Sequence, residues 1–200
     1  PEFSTYVAQK NYKAINFIAN KIFKITCSFS MCICSIFFIF SNELGMAIYN
    51  NVEIGYFFKV FTPFIFFMYM DHIIDCILKG LNKQFGVMCC NILDLSITTC
   101  FIYFLLPILG IKGYVLSIFF SEVLNFSISL FQLFKYSKIK PNLIDWIAVP
   151  LFCSLVSFFV LSVFRFNFVN LIVNLIFNIL LFVLVYVVTF FIINMSKIKK

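Results

Sequence analysis

Charge is scarce in this 200-residue chain: Asp, Glu, Lys and Arg together make 12% of it, about half the share in a soluble domain. There is one His, one Trp, five Pro and six Gly. A single His leaves no histidine pair for an HExxH metal site, and neither a GxSxG elbow nor a P-loop string occurs. These gaps predict a protein that is not an enzyme and has no cofactor. So little polarity also excludes a disordered chain and a nucleic-acid binder. Eight cysteines are present, but nearly all sit inside apolar runs, and Cys32-Ile33-Cys34 and Cys89-Cys90 lack the second Cys/His pair of a zinc site. They read as small apolar core residues rather than a disulfide framework or a metal site. What is abundant is apolar surface: 63% hydrophobic residues, thirty-one Phe and a mean hydropathy of +1.06. The composition therefore predicts an all-α integral membrane protein.

A helix needs about 20 residues to cross the hydrocarbon of a bilayer. Six stretches qualify, at about 25–42, 56–78, 86–108, 112–134, 144–164 and 168–194. The second is interrupted by Pro63 and by Asp71, His72 and Asp75. Residues 1–24 alternate apolar and basic positions and predict a cytoplasmic amphipathic segment at the membrane surface, ahead of a six-span domain over 25–200. A loop is expected over 43–55, a polar hinge at Lys79–Gln84, a tight turn at Leu109–Gly113 and a basic link at Tyr136–Asn142.

Six crossings collect Lys10, Lys13, Lys21, Lys24, Lys79, Lys83, Lys135, Lys138, Lys140, Lys197, Lys199 and Lys200 on one side. Only Lys59, Lys112 and Arg165 fall on the other. The positive-inside rule then predicts that both ends of the chain face the cytoplasm of a multi-pass cell-membrane protein. The excess of positive charge reports topology, with some attraction to anionic membrane lipid. The chain starts at Pro1, with no charged n-region and cleavage site before the first apolar run, and so reads as a piece of a longer protein.

Polar residues recur at helical spacing inside these spans. Glu122, Asn125, Ser129 and Gln132 share one face of the fourth, and Asn91, Asp94 and Thr98 one face of the third. Asn167, Asn170, Asn174 and Asn178 follow each other in the sixth, and Asp71, Asp75 and Lys79 are spaced by four in the second. Ionisable groups cost at least about 2.5–3.5 kcal/mol in hydrocarbon, so they are expected to face protein or a water-filled cavity. The Asn series reads mainly as interhelical hydrogen-bond glue. Asp75 and Lys79 read as an i,i+4 ion pair at the inner interface, and His72 as a neighbour of Asp71. Asp94 and Glu122 lack a basic partner at their depth, which leaves a functional and a structural reading equally open.

Several strings resemble the second half of stage V sporulation protein B and its relatives, within the multidrug/oligosaccharidyl-lipid/polysaccharide exporter superfamily. They are Tyr6-Val7-Ala8-Gln9-Lys10-Asn11-Tyr12, Ile77-Leu78-Lys79-Gly80-Leu81-Asn82-Lys83-Gln84 and Asn91-Ile92-Leu93-Asp94. Further along come Leu106-Pro107-Ile108-Leu109-Gly110-Ile111-Lys112-Gly113-Tyr114 and Ser121-Glu122-Val123-Leu124-Asn125. The last two spans match by number and position alone. The resemblance implies the last six helices of a fourteen-helix, two-lobe exporter, with the remaining N-terminal part of the same transporter as partner. It implies flipping of a lipid-linked oligosaccharide or peptidoglycan precursor for spore cortex or cell wall, by alternating access. Alternatives are a cation-coupled multidrug exporter of the same superfamily and a non-transporting scaffold for cell-wall enzymes. Asn91, Asp94, Glu122 and Asn125 are the candidate cavity or cation-coupling residues, for Na⁺ or H⁺. Asp71, Asp75 and Lys79 are the candidate inner-gate residues.

Overall fold

A computed structural model describes residues 6, 9, 11–137, 142, 144–166 and 168–198. Among the described residues there are helices and their links, and no strand. The main elements are α1 (Tyr12–Ile39), α2 (Ser41–Tyr49), α3 (Val52–Gly80), α4 (Gln84–Leu109) and α5 (Ile111–Ser137). A π-helical turn (Ile144–Ala148) then runs into α6 (Val149–Val163), and α7 (Leu171–Ile198) follows. Among the described residues, six stretches are long and apolar enough to span a bilayer: Lys13–Ile39, Val52–Gly80, Gln84–Leu109, Ile111–Ser137, Ile144–Val163 and Leu171–Ser196. Large apolar side chains such as Phe131, Phe159 and Leu184 stay outside the protein core, where lipid solvates them better than water would. The protein is an all-α, multi-pass membrane protein.

Two expected connections are helical instead. The basic stretch ahead of the first span is not a separate surface segment where it is described: α1 is continuous from Tyr12. No Pro or Gly interrupts it, and the Asn11 side chain caps its start, its Oδ1 accepting the Ala14 amide at 3.2 Å. The amphipathic pattern is real, but Ile15, Ala19 and Phe23 bury against protein while Lys13 and Lys21 stay exposed. Lys10, Lys138, Lys140, Lys199 and Lys200, counted in the charge asymmetry, lie outside the described residues. The expected 43–55 loop is mostly α2, followed by a turn at Asn50 and Asn51. Asn50 takes a left-handed conformation (φ 54°), and its amide closes α2 on the Met46 carbonyl at 3.1 Å. The Asn51 side chain then accepts the Glu53 amide at 2.8 Å and starts α3.

That turn folds α2 back so tightly that only glycine fits at the contact. A Cβ on Gly55 would lie 2.7 Å from the Asn42 Cα, and one on Gly45 would lie 2.7 Å from the Gly55 amide nitrogen. The α4–α5 link is shorter still. Gly110 alone separates the two helices, at φ 59° and ψ −139°, a backbone region essentially reserved for glycine.

The chain packs into two compact units, Pro1–Thr26 with Phe67–Pro141, and Cys27–Phe66 with Asn142–Lys200. In the first, α4 and α5 form an extended antiparallel pair. Buried Met70, Ile74, Ile77 and Leu78 of α3 belong to the same unit. In the second, α6 and α2 pack on α7 around Cys153, Phe40, Phe182 and Tyr186. The Tyr186 hydroxyl, in that apolar setting, donates to the Ser28 carbonyl at 2.8 Å. All eight cysteines are free thiols.

Candidate functional site

The buried face of α5 is a line of residues spaced by four: Gly113, Ser117, Ser121, Asn125, Ser129, Leu133 and Ser137. Small side chains every fourth residue make a shallow ridge that lets neighbouring backbones come close in a membrane bundle. Ser117 and Ser137 satisfy their own hydroxyls on the carbonyls four residues earlier. Ser121 and Asn125 instead reach other helices, and from there a polar lane forms within the first unit.

Three carboxylates enter the lane, each with a different partner. Asn125 donates its side-chain N–H to Asp71 Oδ2 at 3.0 Å, joining α5 to α3. Asn91 of α4 donates to Asp75 Oδ2 of α3 at 3.3 Å. The Ser121 hydroxyl donates to Asp94 Oδ1 of α4, and Thr98 donates to the Ser121 oxygen at 2.5 Å. Toward the open end of the hairpin, Gln132 donates to the Cys90 sulfur at 3.0 Å. Asp71, Asp75, Asn125 and Ser129 are buried. Asp75 Oδ1, Asn125 Oδ1 and Gln132 Oε1 are buried and have no hydrogen-bond partner among the described residues. A buried carbonyl or carboxylate oxygen without a donor is costly, and it is the kind of group that hard cations and protons take.

The expected site residues divide accordingly. Asn91, Asp94 and Asn125 come together with Asp71 and Asp75 through α3, α4 and α5. Glu122 stands next to the buried line rather than on it, half-buried and outside these bonds. The periodicity that grouped it with Asn125 fits a stripe about one residue wide to either side, and the four-residue ridge selects Ser121 instead. Lys79 is exposed, and Asp75 bonds to Asn91 rather than pairing with it. His72 is exposed and stands beside Asp71, as expected of a neighbour. Ser121 has the largest role not assigned to it beforehand; its signal is the Gly113-Ser117-Ser121 recurrence at i, i+4, i+8. Among the described residues no three of His, Cys, Asp and Glu converge on a point that would hold a metal ion.

The Asn series of the last span has a different use, inside the second unit. Asn178 is fully buried, accepts the Phe166 amide at 3.0 Å and donates back to the Phe166 carbonyl at 3.0 Å. Asn174 accepts the Phe168 amide at 3.3 Å, and Asn170 caps α7 by accepting the Ile172 amide at 3.0 Å. These side chains tie down the irregular link between α6 and α7, supplying partners to backbone that no helix satisfies. The bonds are made to backbone of the link, where glue between helices was expected. Asn167 lies outside the described residues.

Comparison with known proteins found no matching family model, no matching curated protein and no matching solved structure.

Proposed function

We propose that this chain is the C-terminal six-span part of a transporter that flips a lipid-linked oligosaccharide or peptidoglycan precursor, for spore cortex or cell wall, across the cytoplasmic membrane. The observation that carries a transport reading is the polar lane of α3, α4 and α5. Three carboxylates and two carboxamides are held on membrane-crossing helices by side-chain hydrogen bonds between the helices. Purely structural packing gains nothing from this many buried acids, since apolar residues of similar volume pack as well without the desolvation cost. The saccharide-lipid class rests on the resemblance of the strings between residues 6 and 125.

Acidic side chains repel a pyrophosphate headgroup, so the headgroup binds to basic residues in the N-terminal part, and the lane serves a coupling cation. An Asp–Asn pair suits that task. With the carboxylate charged, the amide N–H donates to it, as at Asp71 and Asn125. With a proton or Na⁺ present, the amide turns and offers its oxygen. Neutralising the lane changes which packing of the three helices is lower in free energy, and the bundle alternates between inward and outward access. Both ends of the chain face the cytoplasm in this reading, which the twelve clustered lysines support.

The test uses the full-length protein in vesicles with a fluorescent lipid-linked saccharide. Asp94→Asn and Asp71→Asn should each lower ion-stimulated flipping by about 5–150-fold, the range of a typical coupling free energy. Thermal melts check that both variants fold. Unchanged flipping and unchanged ion dependence in both would overturn the coupling role, and full complementation of a cortex-deficient strain by both would favour a scaffold.

A further inference from the structure

The second unit contains a groove of about 610 Å³ that the polar lane does not involve. Its walls are the second half of α1, the first half of α3, and α6 with the link that follows. Two cations line it, Lys59 of α3 and Arg165 just beyond α6. The groove's hydroxyls are already committed: Ser35 donates to Met31, Thr62 to Phe58 and Ser154 to Leu151, all backbone carbonyls. Lys59 and Arg165 are thus the charged donors left to face a ligand. Arg165 spends one arm on Glu43, and its guanidinium carries further N–H groups. The three charges leave the groove one positive charge in excess.

Beside these cations the wall turns apolar. Phe38, Leu155 and Phe158 line the same groove and are 58%, 65% and 51% exposed. A small inorganic anion would use the charges and leave that wall without a partner. A soluble acidic peptide would have to enter hydrocarbon to reach it. One occupant matches both halves: a molecule with a single negative phosphodiester and a long apolar tail, already present at high concentration around membrane-crossing helices.

We propose that this groove binds an anionic phospholipid, with its phosphodiester on Lys59 and Arg165 and an acyl chain along Phe38, Leu155 and Phe158. Glu43 competes with the phosphate for Arg165 and sets the affinity. The inference stands whether or not the protein is a flippase, because it needs no transported substrate.

Native mass spectrometry of the full chain, released from micelles, tests it with phosphatidylglycerol and phosphatidylcholine of identical acyl chains. Phosphatidylglycerol should be retained about fivefold better, and Lys59→Gln should remove that preference. Glu43→Gln should raise phosphatidylglycerol retention by freeing Arg165, the opposite of what loss of a purely structural ion pair would do. Millimolar inorganic phosphate should displace none of it. Equal retention of the two lipids by the unaltered chain overturns the proposal. So does an unchanged preference in both K59Q and E43Q, or displacement by inorganic phosphate. Arg165→Gln should also lose the preference; where it unfolds by stranding Glu43, K59Q and E43Q decide the matter.

Discussion

Asn178 is the clearest case of a polar side chain that a membrane protein retains for backbone reasons. Its amide oxygen and nitrogen both bond to Phe166, in a link where the helical pattern has stopped. Asn178→Ala removes both bonds to the Phe166 backbone, and should cost about 1–3 kcal/mol, read as a fall in the melting temperature in detergent. Asn170→Ala removes only an exposed cap and should cost about 1 kcal/mol in the same measurement. A similar loss for both would contradict the role given to Asn178. The lane differs in kind, because there the partners of the amides are acids. Asn125→Leu keeps the volume but removes one donor from the buried Asp71 carboxylate, so it should destabilise the chain more than Ser127→Ala on the exposed face of α5.

At the level of elements, two glycines do different work and a pair of substitutions separates them. Gly55 has an ordinary backbone conformation and no room: a Cβ there meets the backbone of Asn42 and Ser41 below 3.0 Å. Gly110 has open space and a backbone angle that side chains avoid. Gly55→Ala should force α2 away from α3, costing about 1–3 kcal/mol by overpacking. Gly110→Ala should cost about 1–3 kcal/mol through strain. Gly110→Asn should not recover it, since Asn tolerates the left-handed helical region but not ψ −139°, and no residue larger than Gly rescues position 55. Thermal melts of the three variants check this. Neither constraint was legible beforehand, because a close approach between helices depends on where both of them lie. The spans themselves were legible, since length and continuous hydropathy are local properties. The polar lane was half legible. Periodicity found Asn91, Asp94, Asn125, Asp71 and Asp75, but it resolves a face only to about one residue, and so it took Glu122 for Ser121. It also paired Asp75 with the nearest Lys in sequence, while the nearest donor in space is Asn91, sixteen residues on. The Lys59 and Arg165 groove was not legible at all, its cations being 106 positions apart (165 minus 59).

For the whole molecule, six crossings divide the connections between two sides of the membrane. In a background without native cysteines, Asn51→Cys and Lys112→Cys should react with an impermeant maleimide added to intact cells. Asn82→Cys should react only after permeabilisation. The reverse pattern would invert the orientation drawn from the lysines, and labelling of Asn51→Cys and Asn82→Cys from one side would remove a span.

Gly110 also bears on how the chain enters the bilayer during synthesis. α4 and α5 are each about 40 Å long, and one residue joins them. A link that short gives α4 no slack to leave the insertion channel and wait in lipid while α5 is still being made. The short link favours insertion of the two as one hairpin, in which α4 and α5 touch along their length. In the folded hairpin Asp94 has the Ser121 hydroxyl on it, a donor from the same two helices. Entering as a hairpin, the one carboxylate of α4 meets hydrocarbon with a donor within reach rather than alone.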